Sequence, residues 1–304
     1  MSVTASMVRD LREKTSAGML DCKKALEESQ GDFEAAVEWL RKKGLSSAAK
    51  KADRLASEGM VVSYVDGGKT AVLLEVNSET DFVAKNDFFK SFSAALAKHI
   101  GTTSPTPADI DALLNQTLNG EKIDISLKNA IAKIGENIVL RRFVRYDAAG
   151  YVHSYIHGDG KIGVLVELTT TKADEFAKTF ANDVCLHVAA MSPIALSQDA
   201  VPAEVVAKEK EILKAKNLEQ GKKPEMIEKI VEGQIRKFLA ESVLLEQAFV
   251  KNPDIKVKDY MAEMAKKSGD NYSIKRYVRF ELGEGLQKRS NNFAEEVAAQ
   301  TKGH

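Results

Sequence analysis

The strongest constraint on this 304-residue chain is that it repeats itself. Ser63-Tyr64-Val65-Asp66-Gly67-Gly68-Lys69, followed by Val72-Leu73 and Glu75-Val76, aligns with Ser154-Tyr155-Ile156-His157-Gly158-Asp159-Gly160-Lys161, followed by Val164-Leu165 and Glu167-Leu168. Each copy reads as two β-branched and aromatic strands joined by a Gly/Asp turn, the signature of a hairpin. Further on, Glu136-Asn137 and Arg141-Arg142-Phe143-Val144-Arg145-Tyr146 align with Asp270-Asn271 and Lys275-Arg276-Tyr277-Val278-Arg279-Phe280. The hairpins match at an offset of 92 (Lys69 against Lys161) and the later strands at 134 (Glu136 against Asp270), so the second copy holds 42 extra residues. A sequence built this way specifies two units of hairpin, helices and third strand, an α+β class with antiparallel sheets.

The extra residues have a natural place. Residues 203–240 carry apolar positions Val205, Val206, Ile212 and Leu213, then Ile227, Ile230, Val231, Ile235 and Phe238, split by Gly221-Lys222-Lys223-Pro224. This pattern predicts an antiparallel helical hairpin inserted into the second copy. From 203 to 241 there are nine basic and eight acidic residues, interleaved at near-helical spacing, which reads as a solvated helix face rather than a nucleic-acid stripe.

Whole-chain charge agrees, with 44 basic and 44 acidic residues. Direct nucleic-acid binding ordinarily shows a basic excess or patch, so a protein partner is the better expectation. No apolar run approaches membrane-spanning length. The early Arg9, Asp10, Arg12 and Glu13 fit neither a signal nor a transit peptide, which points to the cytoplasm. Cys22 and Cys185 lie in apolar helical patterns without ligand-like spacing and read as buried reduced thiols. His153 and His157 share strand parity with Tyr155 and lie near Asp159, with His187 on a helix expected nearby. No further ligand pattern accompanies them, so polar packing is preferred over a metal site. Gly67-Gly68-Lys69 and Gly158-Asp159-Gly160-Lys161 lack the spacing of a P-loop, and no cofactor is expected.

Ahead of the repeat, Val8 and Leu11, then Met19, Cys22 and Leu26, then Phe33, Ala36, Val37 and Leu40 predict three short helices separated at Gly18 and Gly31-Asp32. After it, Asn292 is placed to cap a helix from Phe293 through Val297. The expected organisation is a helical module over 1–55, core subdomains over 56–148 and 149–281, the hairpin insertion at about 200–241, and a C-terminal module over 282–304.

One segment stands apart. In Glu75-Val76-Asn77-Ser78-Glu79-Thr80-Asp81-Phe82-Val83-Ala84-Lys85-Asn86, residues 71 to 76 read as a strand, Asn77-Ser78 as its break, and Thr80 as the N-cap of a short helical turn with Phe82 at its tip. The pattern alone leaves open whether Phe82 turns into the core or outward. The string from Glu75 to Lys85 resembles the signature of translation elongation factor Ts, the guanine nucleotide exchange factor of elongation factor Tu. Leu11-Arg12 through Lys23-Lys24-Ala25-Leu26 resembles that family's first signature, with Ser16 where the family usually has Gly. Ala25-Leu26, Gly31-Asp32-Phe33, Ala36-Val37 and Trp39-Leu40 resemble ubiquitin-associated domains.

The resemblance covers nearly the whole chain and implies a coiled-coil insertion in the second core subdomain, which some members use for self-association, so that a homodimer through the helical hairpin stays open for this chain. It implies that Thr80, Asp81, Phe82 and Val83 engage the GTPase and disturb its magnesium and phosphate site, with Arg12, Met19, Leu20 and His157 as further contacts. It implies no bond-making chemistry. Two other readings remain: an adaptor binding a helix or ubiquitin-like domain through residues 1–45, and a metal hydrolase on His153, His157 and Asp159.

Overall fold

Helix α1 (Ala5–Thr15), α2 (Met19–Glu28) and α3 (Phe33–Ala49) open the computed structural model, which describes residues 3–15 and 17–287. The expected C-terminal helix at 293–297, and Ser16, lie outside the described residues. Val8, Leu11, Cys22, Ala25, Leu26 and Ala36 form the three-helix core, and the Asp32 carboxylate caps α3 by accepting from the Ala35 amide. Six largely small buried residues make a modest core, as three short helices allow. Helix α3 runs well past Leu40, because Gly44 and Ala48 are buried on its continuing face.

Strands β1 (Glu58–Asp66) and β2 (Thr70–Ser78) form the first hairpin; the one-turn α4 (Asp81–Lys85), α5 (Asp87–Thr102) and α6 (Ile110–Asn115) come next. The two-residue strands β3 (Thr117–Leu118) and β4 (Glu121–Lys122) precede α7 (Ile123–Ile134) and the third strand, β5 (Ile138–Asp147). The sheet order is β1-β2-β5. Buried positions Phe89, Ser93, Leu96, Ala97 and Ile100 recur at helical spacing along one face of α5. Helix α7 packs against α3, with the side chain of Ala132 opposite Gly44.

The second copy comprises β6 (Tyr151–His157), β7 (Ile162–Thr169), α8 (Glu175–Met191), a 3-10 turn (Gln198–Ala200), α9 (Ala203–Glu219), α10 (Pro224–Ser242), β8 (Ala248–Phe249), β9 (Asn252–Lys256), α11 (Val257–Ser268) and β10 (Ser273–Glu281). Its sheet order, β10-β7-β6, repeats the arrangement of the first: the second hairpin strand is central and the late strand joins its far side. The β6–β7 register pairs Tyr151 with Leu168 and His157 with Ile162. Val164, Val166, Leu168, Phe180, Val184, Cys185, Val188, Tyr272 and Ile274 belong to one core. The expected α+β class and the inserted hairpin are both present. Ile227, Val231 and Ile235 form the seam of α10 against Val206 and Leu213, and buried Asn217 crosses to Gln234 at 2.8 Å.

The chain divides into two compact units that do not follow its linear order. Of the described residues, one gathers those up to Val62, Leu74–Phe143 and 281–287; the other gathers Ser63–Leu73 and Val144–Phe280.

Candidate functional site

Phe82 departs from the end of β2, the central strand of its sheet. Strand pairing continues through Asn77 and Ser78, both buried, instead of breaking there as the sequence suggests. Asn77 donates to the Glu58 carbonyl at 3.2 Å, so these small polar residues can extend the strand into a buried setting. The chain then turns sharply into α4. Thr80 occupies the N-cap position, but its side chain does not cap: the hydroxyl donates to Glu136 Oε1 at 2.7 Å, and the Thr80 amide to Glu136 Oε2 at 2.9 Å. The Thr80 carbonyl accepts from the Ser78 hydroxyl at 2.9 Å.

A five-residue helix can bury little. Val83 alone of α4 is buried, anchoring the turn inward, while Phe82 stands 75% exposed. Lys85 lies 5.7 Å from the centre of the Phe82 ring and 3.4 Å from Asp81 Oδ2. Both charges are exposed, and such a pair contributes little stability. Asn86 then ends α4 and caps α5, accepting from the amides of Phe88 and Phe89.

Behind the turn lies a polar brace that sequence reasoning did not assign to the site. Glu79 Oε1 accepts from the Asn137 amide at 2.7 Å and pairs with Arg54 at 3.4 Å. Buried Asn137 in turn donates to the carbonyls of Ala52 and Arg54. The one signal for this brace was the alignment of Glu136-Asn137 with Asp270-Asn271 in the repeat.

Glu75 is the other buried charge of the segment. It accepts from Arg141 at 2.8 Å, Arg142 at 2.7 Å and the Gly283 amide at 2.9 Å. Burial would raise its carboxyl, but the hydrogen bonds from Arg141, Gly283 and Arg142 prevail and hold it below the ordinary value. Its repeat counterpart, Glu167, is held by Lys275 and Arg276.

The remaining sequence-designated residues occupy two other places. Arg12, Met19 and Leu20 are exposed around the α1–α2 junction; α2 buries Cys22, Ala25 and Leu26, leaving Leu20, 83% exposed, on the opposite face. His157 belongs to the other compact unit, exposed at the end of β6, its Nδ1 2.9 Å from the Tyr155 hydroxyl. His153 is similarly placed against Tyr151, and burial lowers its pKa. His187 is fully buried, its Nε2 3.0 Å from Gln247 Oε1 and its Nδ1 accepting from the Val250 amide, and burial lowers its pKa as well. Among the described residues, no three His, Cys, Asp or Glu side chains are grouped to hold a metal, and no helix is long and apolar enough to cross a membrane.

A family model described as Elongation factor TS matches residues 79–284, more than half the chain. The chain belongs to the elongation factor Ts family. Similarity extends over full length: it is 56% identical to elongation factor Ts of Bdellovibrio bacteriovorus, covering 100% of both chains. It is 53% identical to that of Syntrophotalea carbinolica, covering 99% of this chain and 100% of the relative, and 50% identical to that of Clostridioides difficile, covering 99% of each. Membership in the elongation factor Ts family places the chain in protein biosynthesis, at the elongation stage.

Proposed function

We propose that this chain is a guanine nucleotide exchange factor that binds elongation factor Tu carrying GDP and promotes GDP release, acting in the cytoplasm without bond-making chemistry. The observation that carries the reading is Phe82, a large aromatic held three-quarters exposed on a one-turn helix whose base is fixed. Leaving a Phe in water forgoes about 2 kcal/mol that burial would contribute, an amount available to an interface. Phe82 acts as an apolar wedge between helices of the GTPase, and Asp81 repositions that interface by hydrogen bonding near a helix terminus. Val83 supports the wedge from within its own unit. Arg12, Met19, Leu20 and His157 supply contacts elsewhere on the partner.

Exchange arises from coupling. A factor that binds nucleotide-free GTPase more tightly than its GDP complex must weaken GDP affinity by the same ratio. Disturbing the magnesium and phosphate site from a distance satisfies that requirement, and nucleotide then rebinds by mass action. The test mixes the chain with elongation factor Tu loaded with fluorescent GDP. Wild type accelerates release; Phe82→Ala slows it while leaving the chain's own melting temperature nearly unchanged. A variant that melts much lower, or exchanges as wild type does, refutes the wedge.

A further inference from the structure

Resting on the wedge reading, we propose that Glu136 is the positioning residue of the exchange tip: its carboxylate grips Thr80 from both sides and so aims Asp81 and Phe82. Thr80 immediately precedes the Asp81-Phe82 pair, so its backbone angles set the direction in which the tip leaves the sheet. All three of its polar groups are held. Glu136 takes the amide at 2.9 Å and the hydroxyl at 2.7 Å, and Ser78 donates to the carbonyl. Hydrogen bonds to an ionised carboxylate are stronger than neutral ones.

Glu136 is itself well placed to act as a reference point. It sits between Gly135, whose left-handed φ of 88° terminates α7, and buried Asn137, which is bonded to the segment before β1 and leads into β5. The tip is thereby referred to a helix and a strand 56 residues away in sequence rather than to its own short turn.

The second copy contains the same device under a different load. Asp270, the repeat counterpart of Glu136, accepts from the Thr170 hydroxyl, the Thr171 amide and hydroxyl, and the Lys172 amide. Thr170–Lys172 align with Ser78–Thr80 at the same offset of 92. The hydrogen bond from Thr170 and those from Thr171 and Lys172 hold the Asp270 carboxyl well below the ordinary carboxylate range. Beyond this grip the chain enters α8, a 17-residue helix with nine buried residues, which packing alone would hold in place. In the first copy the grip leads into only five residues of helix with one buried side chain. There packing cannot fix the direction, and the carboxylate must.

Glu136→Gln keeps size but removes the charge: its carbonyl oxygen can still accept from the Thr80 amide and its NH2 can donate to the Thr80 hydroxyl oxygen, so two charge-assisted bonds become weaker neutral ones. With the tip no longer held in one direction, the binding-competent fraction falls. At limiting concentration, GDP release catalysed by Glu136→Gln should slow about ten-fold, through the loss of charge assistance in the two bonds to Thr80. The loss should fall on KM, with kcat at saturation nearly retained, and the Thr80 amide should lose protection from hydrogen exchange. Combined with Phe82→Ala, Glu136→Gln should add less than about two-fold, because the residue acts through the tip. Thr80→Val, which removes the hydroxyl donor at constant shape, should reproduce the KM effect and serves if Glu136→Gln does not fold. If Phe82→Ala exchanges normally, the wedge and the positioning role fall together. If Phe82→Ala is impaired while Glu136→Gln and Thr80→Val are not, or if their effects persist undiminished without Phe82, the positioning role alone is overturned.

Discussion

Replacing Glu75 by Gln removes one charge from a site where the carboxylate accepts from two guanidiniums and a backbone amide. The Glu75 side chain is fully buried, while those of Arg141 and Arg142 retain 21% and 31% exposure. Breaking a buried ion pair by neutralising one partner costs about 3–5 kcal/mol because a desolvated charge is stranded. Here the two guanidiniums can recover part of their hydration, which lowers the expected loss to about 2–3 kcal/mol. The repeat provides an internal control. Glu167 is equally buried, but its partners Lys275 and Arg276 are 53% and 43% exposed and already largely hydrated, so Glu167→Gln should cost about 1 kcal/mol. Urea denaturation followed by circular dichroism at pH 7 gives both values. The Glu75 contribution also has a definite pH dependence. Its folded pKa lies below the ordinary 4.5, so the stability it supplies is present above that value and lost as pH falls through the folded pKa. The gap between wild type and Glu75→Gln should therefore narrow in acid. Protection of the Gly283 amide should fall in Glu75→Gln only. Equal costs at the two glutamates, or undiminished Gly283 protection, would refute the idea that burial of the whole cluster sets the magnitude.

Gly44→Ala should stabilise the protein by about 0.5–1 kcal/mol in thermal melts, since the added methyl meets Ala132 at an ordinary 3.5 Å and the helix gains propensity. Replacing 203–240 with a Gly/Ser linker that spans the helix ends should remove the helical signal of α9 and α10 yet leave a folded chain that accelerates GDP release at saturation; light scattering would reveal any self-association lost with them. His187, neutral and doubly hydrogen-bonded in the fold, should leave stability level above its ordinary 6.5 and lower it as pH falls from there through the depressed folded value. Urea midpoints of wild type should drop over that window more steeply than those of His187→Gln, the remaining slope reflecting groups such as His153.

The sequence is most legible where short-range pattern and repetition coincide. Gly/Asp turns flanked by β-branched strands specify both hairpins, and the offset difference locates α9 and α10. Glu75 and Glu167 were visible as charges within apolar strands, but the basic residues that neutralise them lie on β5 and β10, beyond any local window. Asn77-Ser78 looks like a break because neither residue favours strands in isolation; burial beside Glu58 reverses that preference. Gly44-Leu45-Ser46-Ser47 similarly hides the last turns of α3, which are helical because α7 covers them. At the candidate site, the residue types of the tip could be read and its exposure could not. Thr80 looks like an ordinary cap until Glu136 arrives from 56 residues away to claim its hydroxyl.

The separation between Glu75 and its partners also governs how this protein can be made. During synthesis the Glu75 carboxylate emerges before Arg141 and Arg142, which are 66 and 67 residues downstream, and long before Gly283, 208 residues downstream. The strand carrying it therefore cannot settle into a dry interior while the nascent chain is short, because its charge would be buried unpaired. The guanidiniums permit a provisional closure, and the Gly283 amide completes it only once that later segment has also emerged. A truncated product ending before β10 keeps this cluster open to water, and with it a foothold for proteolysis, so the segment around Gly283 acts as a checkpoint on the first sheet.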